Sequence, residues 1–157
     1  MKILVLSDSH KNLLNIKKIL NEVEYDFVLF LGDYVEDILN FSKILKDKLF
    51  VVKGNCDGDI NFDDDLLLEM AGKKIFMTHG HCYGVKMGMG KLFEKATEMG
   101  ADILVFGHTH IPFQTRLDNG IIVLNPGSLG KGALKNNTFG MICIEDDVVT
   151  TKIFQVL

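Results

Sequence analysis

Five times along this chain a short apolar run stops and a potential metal donor follows. Ile3-Leu4-Val5-Leu6 precedes Asp8, Phe27-Val28-Leu29-Phe30-Leu31 precedes Asp33, and Leu49-Phe50-Val51-Val52 precedes Asn55. Ile75-Phe76-Met77 precedes His79, and Ile103-Leu104-Val105-Phe106 precedes His108. Each run is continuous and rich in β-branched or aromatic residues, as expected of a strand covered on both faces. In α/β folds the carboxyl ends of such strands gather sites along one rim. The pattern therefore predicts a sheet core with donors delivered to a single edge.

Between the runs the apolar period changes to that of a helix. Leu13 to Val23 carries Leu13, Ile16, Leu20 and Val23 on one side, with Asn12 placed to cap it. Ile38 to Leu49 repeats the pattern through Ile38, Phe41 and Leu45. Lys86 to Met99 does so through Leu92, Phe93 and Ala96, with Gly100 as C-cap, although Gly88 and Gly90 weaken its first turns. The last third changes character. Leu117 and Ile121 flank the turn signal Asp118-Asn119-Gly120. Thr138 to Ile144 and Val148 to Val156 flank Glu145-Asp146-Asp147 as a second hairpin. The fold class expected is α/β with antiparallel closure. With no linker, repeat or low-complexity stretch, residues 1–157 read as one domain.

All five histidines fall in three motifs: Asp8-Ser9-His10, His79-Gly80-His81 and Gly107-His108-Thr109-His110. Neutral imidazole is a common transition-metal ligand. Gly32-Asp33 and Gly54-Asn55-Cys56-Asp57 add oxygen donors. Any one of these motifs has an ordinary reading as a turn or helix cap. Five in order, each at the end of an expected strand, do not.

Composition narrows the rest. The chain is 47% hydrophobic with 11 Phe, enough for a sizeable core. A net charge of −4 and a single arginine, Arg116, leave no basic footprint for stable nucleic-acid binding and no arginine clamp for phosphate. Cys56, Cys82 and Cys143 form no CxxC pair, which suggests free thiols in a reducing compartment. The first apolar run is too short for a leader or a membrane span. A cytoplasmic protein with no membrane association is expected.

In motif order, residues 8 to 110 resemble the calcineurin-like metallophosphoesterases, in particular their small bacterial and archaeal phosphodiesterase branch. Asn125-Pro126-Gly127-Ser128 is similar to a later site loop of that branch. The resemblance implies one metallophosphoesterase domain built as a four-layer α/β/β/α sandwich, two mixed β-sheets flanked by helices. It implies two divalent ions, manganese ahead of nickel, iron or zinc. Asp8, His10 and His110 would bind one ion and Asn55, His79 and His108 the other, with Asp33 bridging both. It implies hydrolysis of a phosphodiester by a hydroxide activated between the ions. A dimer or tetramer would also fit the family.

One position departs from the phosphoprotein phosphatases of the wider family, where a histidine thought to protonate the leaving group follows the asparagine. Here Cys56 stands in that place, and a neutral thiol is a poor general acid near pH 7. His81 is then the best proton donor, and Asp57 is placed to orient a water or an imidazole. Alternative readings are a phosphomonoesterase, a nuclease for small fragments, or a non-catalytic scaffold of the same fold. Every donor position is filled with a competent residue, which disfavours the scaffold.

Overall fold

A computed structural model describes residues 1–131 and 136–157. Two five-stranded sheets form its centre. The first has the order β10-β9-β1-β2-β3, built from β1 (Lys2–Leu6), β2 (Phe27–Phe30), β3 (Leu49–Val51), β9 (Thr138–Glu145) and β10 (Val148–Gln155). The second has the order β4-β5-β6-β8-β7, built from β4 (Asp65–Met70), β5 (Lys73–Thr78), β6 (Ile103–Phe106), β7 (Phe113–Arg116) and β8 (Ile122–Asn125). Both sheets are mixed. β1, β2 and β3 run parallel, as do β5, β6 and β8, while antiparallel strands occupy the flanks.

The two-residue period of a strand explains the layers. Ile3, Val5, Leu29 and Leu31 point from the first sheet toward Ile75, Met77, Ile103 and Val105 of the second, and this is the central core. Leu4, Leu6, Val28 and Phe30 point the other way. They pack on Ile16 and Ile19 of α1 (Leu13–Glu22), on Val35 and Ile38 of α2 (Val35–Leu39) and on Leu45 of α3 (Ser42–Leu45). Phe76, Leu104, Phe106 and Val123 leave the second sheet outward and meet Leu92 and Ala96 of α4 (Gly90–Glu98). The order of layers is thus α/β/β/α. A continuous apolar run, unlike an alternating one, covers both faces of its strand, so each run serves two cores at once.

The local expectations hold unevenly. Asn12 caps α1, its Oδ1 accepting from the Asn15 backbone N–H at 3.1 Å. Gly100 follows α4 at φ +63°, its N–H donating to the Thr97 carbonyl, a left-handed C-cap. The predicted helix from Ile38 to Leu49 is instead two short helices with a break at Asn40-Phe41, followed by a 3-10 turn. The helix predicted from Lys86 begins only at Gly90, as its glycines cost it the first turn. The residue pattern gives no sign of β4. Its Asp-Leu-Leu-Leu-Glu-Met run neither alternates nor leads to a donor, and only pairing with β5 from Asp65↔Thr78 to Met70↔Lys73 makes it a strand.

Candidate metal centre

The carboxyl ends of the two parallel trios meet at one rim. Loops there are tied across the sheets: Leu129 N–H donates to the Ser7 carbonyl, Gly130 N–H to that of Asp8, and Gly107 N–H to that of His79. Space is so limited that a Cβ on Gly54 would lie 2.2 Å from Asp33 Oδ1, and one on Gly107 would lie 2.1 Å from Ser7 Oγ. Asp8, His10, Asp33, His108 and His110 all have positive φ, between 45° and 67°. That conformation costs an L-residue roughly 1 kcal/mol or more. The surrounding bonds hold it because it turns alternate side chains toward a common centre.

The first donor group is Asp8, His10, Asp33 and His110, whose ligand atoms lie within 4.8 Å of one another. Asp8 is fully buried. Its Oδ2 accepts from the Ser7 hydroxyl and from the His108 backbone N–H at 3.2 Å. Its Oδ1 lies 3.0 Å from His110 Nε2 and 3.9 Å from His10 Nε2, yet has no hydrogen-bond partner among the described residues. His10 Nε2 and His110 Nε2 face each other at 3.2 Å.

The second group gathers around His79, also fully buried. Its Nδ1 sits 2.7 Å from the Leu31 carbonyl. A carbonyl can only accept, so Nδ1 carries the proton and the neutral ring presents its lone pair at Nε2. That lone pair faces Asn55 Oδ1 at 3.2 Å, His108 Nδ1 at 3.2 Å and Asp33 Oδ1 at 3.5 Å. Acceptors converge here without enough protons to pair them. Such a cluster is costly as it stands and is satisfied by a cation. The donor set of imidazole, carboxylate and amide oxygen suits a divalent transition ion.

Electrostatics prepare the rings for that task. Burial first, then the neighbouring His79 and Lys86, lowers the His108 pKa to about 4. Burial and His110 lower that of His10. Both are therefore neutral at pH 7, with lone pairs available. Burial alone would raise the Asp8 carboxyl, but His110, His79 and the Ser7 hydroxyl hold it below the usual carboxylate value.

The three residues expected to aid catalysis have distinct surroundings. His81 stands beside the second group, its ring centroid 5.3 Å from that of His79 and 6.1 Å from that of His108. Cys56 is exposed, and its backbone N–H donates to Asp33 Oδ1 at 2.9 Å. Partial burial and then the Asp33 carboxylate push its thiol up to about 11. Asp57 orients backbone, in contrast to the water or imidazole expected of it. Its carboxylate accepts from the N–H groups of Asp33 at 2.9 Å, Gly54 at 2.7 Å and Val35 at 2.7 Å. It thereby locks the loop carrying Asp33 against the loop carrying Asn55.

Of the other braces, Asp37 has no sequence signal, whereas Asn125 belongs to the Asn125-Pro126-Gly127-Ser128 motif. Asp37 Oδ2 accepts from the Ser9 hydroxyl at 2.6 Å and the Lys11 N–H at 2.7 Å, fixing the His10 loop. Asn125 Nδ2 donates to the Gly107 carbonyl at 3.0 Å and to Thr109 Oγ1 at 3.1 Å, fixing the loop of His108 and His110. Ser9 and Ser128 close loops, the latter donating to the Asp8 carbonyl at 2.8 Å. A cleft of about 490 Å³ opens beside the centre, walled by Lys11, Tyr34, Glu36, Cys56 and Ile60.

Known proteins are similar to this chain over most of its length. It is 34% identical to a probable metallophosphoesterase, YsnB, of Bacillus subtilis over 98% of this chain and 90% of that one. It is 32% identical to the phosphodiesterase MJ0936 of Methanocaldococcus jannaschii over 81% of this chain and 83% of that one. A predicted phosphoesterase from Streptococcus pneumoniae superimposes with a TM-score of 0.82 at 29% identity, covering 98% of this chain and 88% of that one. Vps29 from Entamoeba histolytica shares the fold, with a TM-score of 0.78 at 22% identity over 99% of both chains. The profile of the calcineurin-like phosphoesterase superfamily domain matches residues 1–147. With two curated relatives above 30% identity and a profile match over most of its length, the chain belongs to the calcineurin-like phosphoesterase superfamily.

Proposed function

We propose that this protein is a metal-dependent phosphodiesterase working through two divalent cations. Asp8, His10 and His110 hold one ion, Asn55, His79 and His108 the other, and Asp33 bridges them. The observation that carries this reading is the convergence of nitrogen and oxygen ligand atoms on His79 Nε2, adjoining a second cluster through the one carboxylate of Asp33. Bound there, the ions supply a hydroxide nucleophile near neutral pH and screen the charge on the phosphoryl oxygens.

The chain's own residues do the rest. Asp57 and Asp37 fix the ligand loops, so the centre needs little reorganisation when substrate arrives. The leaving group departs beside the second donor group, on the side of His81. His81 donates its proton to the departing oxygen. A thiol raised to about 11 contributes little as an acid near pH 7, which favours diesters with good leaving groups over monoesters.

The test is hydrolysis of bis(p-nitrophenyl) phosphate by purified protein supplied in turn with Mn²⁺, Ni²⁺, Fe²⁺ or Zn²⁺, with Mn²⁺ expected to serve best. Asp33→Asn should lower kcat/KM by roughly 10³-fold, since it withdraws several kcal/mol of charge stabilisation. Bound ions without turnover under any metal would favour a non-catalytic scaffold of this fold.

A further inference from the structure

A second kind of donor cluster stands at the edge of the centre. Asp64, His81 and Cys82 each offer one ligand atom, all within 4.8 Å of one another. Cys82 Sγ lies 3.4 Å from His81 Nε2. His81 Nδ1 is buried and has no partner among the described residues. The three residues come from two loops that one hairpin holds in place. Asp64 directly precedes β4, whose first residue Asp65 is paired with Thr78 of β5. The Tyr83 hydroxyl, in the 3-10 turn His81–Tyr83, donates to Asp65 Oδ2 at 2.5 Å. The Asp64 backbone is thus clamped against the turn that carries His81 and Cys82. Donors around a tetrahedral ion sit about 3.5 Å apart. Asp64 and Cys82 are exposed, which leaves their side chains room to rotate toward that spacing.

We propose that Asp64, His81 and Cys82 form a third cation site, selective for zinc-class ions, with its remaining coordination open to solvent. The selectivity follows from the thiolate. The paired sets contain only nitrogen and oxygen donors and accept a hard ion such as Mn²⁺, whereas a sulfur-containing set discriminates toward zinc and cobalt. An ion there also engages a ring nitrogen of His81. Excess zinc therefore acts as a brake on turnover; this consequence rests on the role proposed above for His81, but the site itself does not.

The experiment loads the full-length protein with Mn²⁺ or Co²⁺, removes free ion, counts bound metal and records the near-ultraviolet spectrum. Up to two Mn²⁺ per chain are expected but three Co²⁺, the third bringing a thiolate-to-cobalt charge-transfer band. Cys82→Ser and Asp64→Asn each weaken the third Co²⁺ by roughly tenfold or more and remove the band, leaving the paired ions in place. Cys56→Ser keeps the band. Asp33→Asn also keeps it while losing paired ions, so failure of the two-ion reading is seen separately. Equal Mn²⁺ and Co²⁺ counts, or a band that survives Cys82→Ser or follows Cys56, overturns the proposal. Added Zn²⁺ should slow the Mn²⁺-loaded parent and spare Cys82→Ser; equal slowing of both would overturn the brake.

Discussion

The two donor groups share a carboxylate and differ in how their imidazoles are held. In the second group His79 is oriented before any ion arrives, because the Leu31 carbonyl fixes both its tautomer and its ring plane. In the first group His10 is nearly as enclosed, its side chain 6% exposed, but its Nδ1 has no partner among the described residues. The fold fixes the tautomer of one ring by a hydrogen bond and gives the other, packed against Tyr34 and His110, no such partner. A hydrogen-bonded partner that fixes the tautomer strengthens an imidazole ligand, so the group around His79 should hold its ion more tightly.

Breaking that asymmetry gives the largest effect. His79→Ala should retain neither ion firmly, whereas His10→Ala should retain one, as read by metal analysis after dialysis against a chelator. Equal losses from the two variants would show that the Leu31 bond does not matter. Next comes the brace between the groups. Asp57→Ala strands three backbone N–H groups, worth about 2 kcal/mol after water takes up part of the loss, or roughly a 4–8 °C drop in Tm. It should also reduce kcat by about 10–100-fold through misplacement of Asp33. An unchanged kcat in a destabilised protein would confine Asp57 to folding.

Acid sharpens the contrast further. His108, with a folded pKa near 4, and His10, also lowered, stay neutral in the native chain while the unfolded chain takes up protons below about 6.5. The unfolded state then binds more protons, so stability falls as the pH drops from about 6.5 toward 4. The Tm of metal-free protein across that window should show this slope, and His108→Gln should flatten it. The smallest effect belongs to Cys56→His, which restores an imidazole beside Asn55. It should raise turnover of phosphomonoesters relative to diesters by a few-fold, scored with p-nitrophenyl substrates; a fixed ratio would remove Cys56 from the account of substrate choice.

Much of this is legible in the order of residues alone, for a physical reason. Buried parallel strands must be apolar on both faces, and a chain that leaves such a strand must turn, so Asp8, Asp33, Asn55, His79 and His108 announce themselves by position. What stays hidden is what long-range pairing creates. β4 exists because β5 lies beside it. Asp37 looks like any helix polar residue until the loop it braces comes within reach, and Asn125, though part of a visible motif, shows its backbone partners only there. Asp64 carries no signal of its own, because its neighbours His81 and Cys82 are distant in the chain. Asp57 belongs to a visible motif, yet its partners are backbone amides, which no residue pattern displays.

The left-handed backbone at Asp8, His10, Asp33, His108 and His110 has a consequence for anyone seeking a sturdier version of this molecule. Glycine would relax each of these positions, so the easiest gains in robustness lie where the proposed metal ligands stand. Selection for hardiness alone would hollow out the rim first, leaving a well-folded shell with nothing to do.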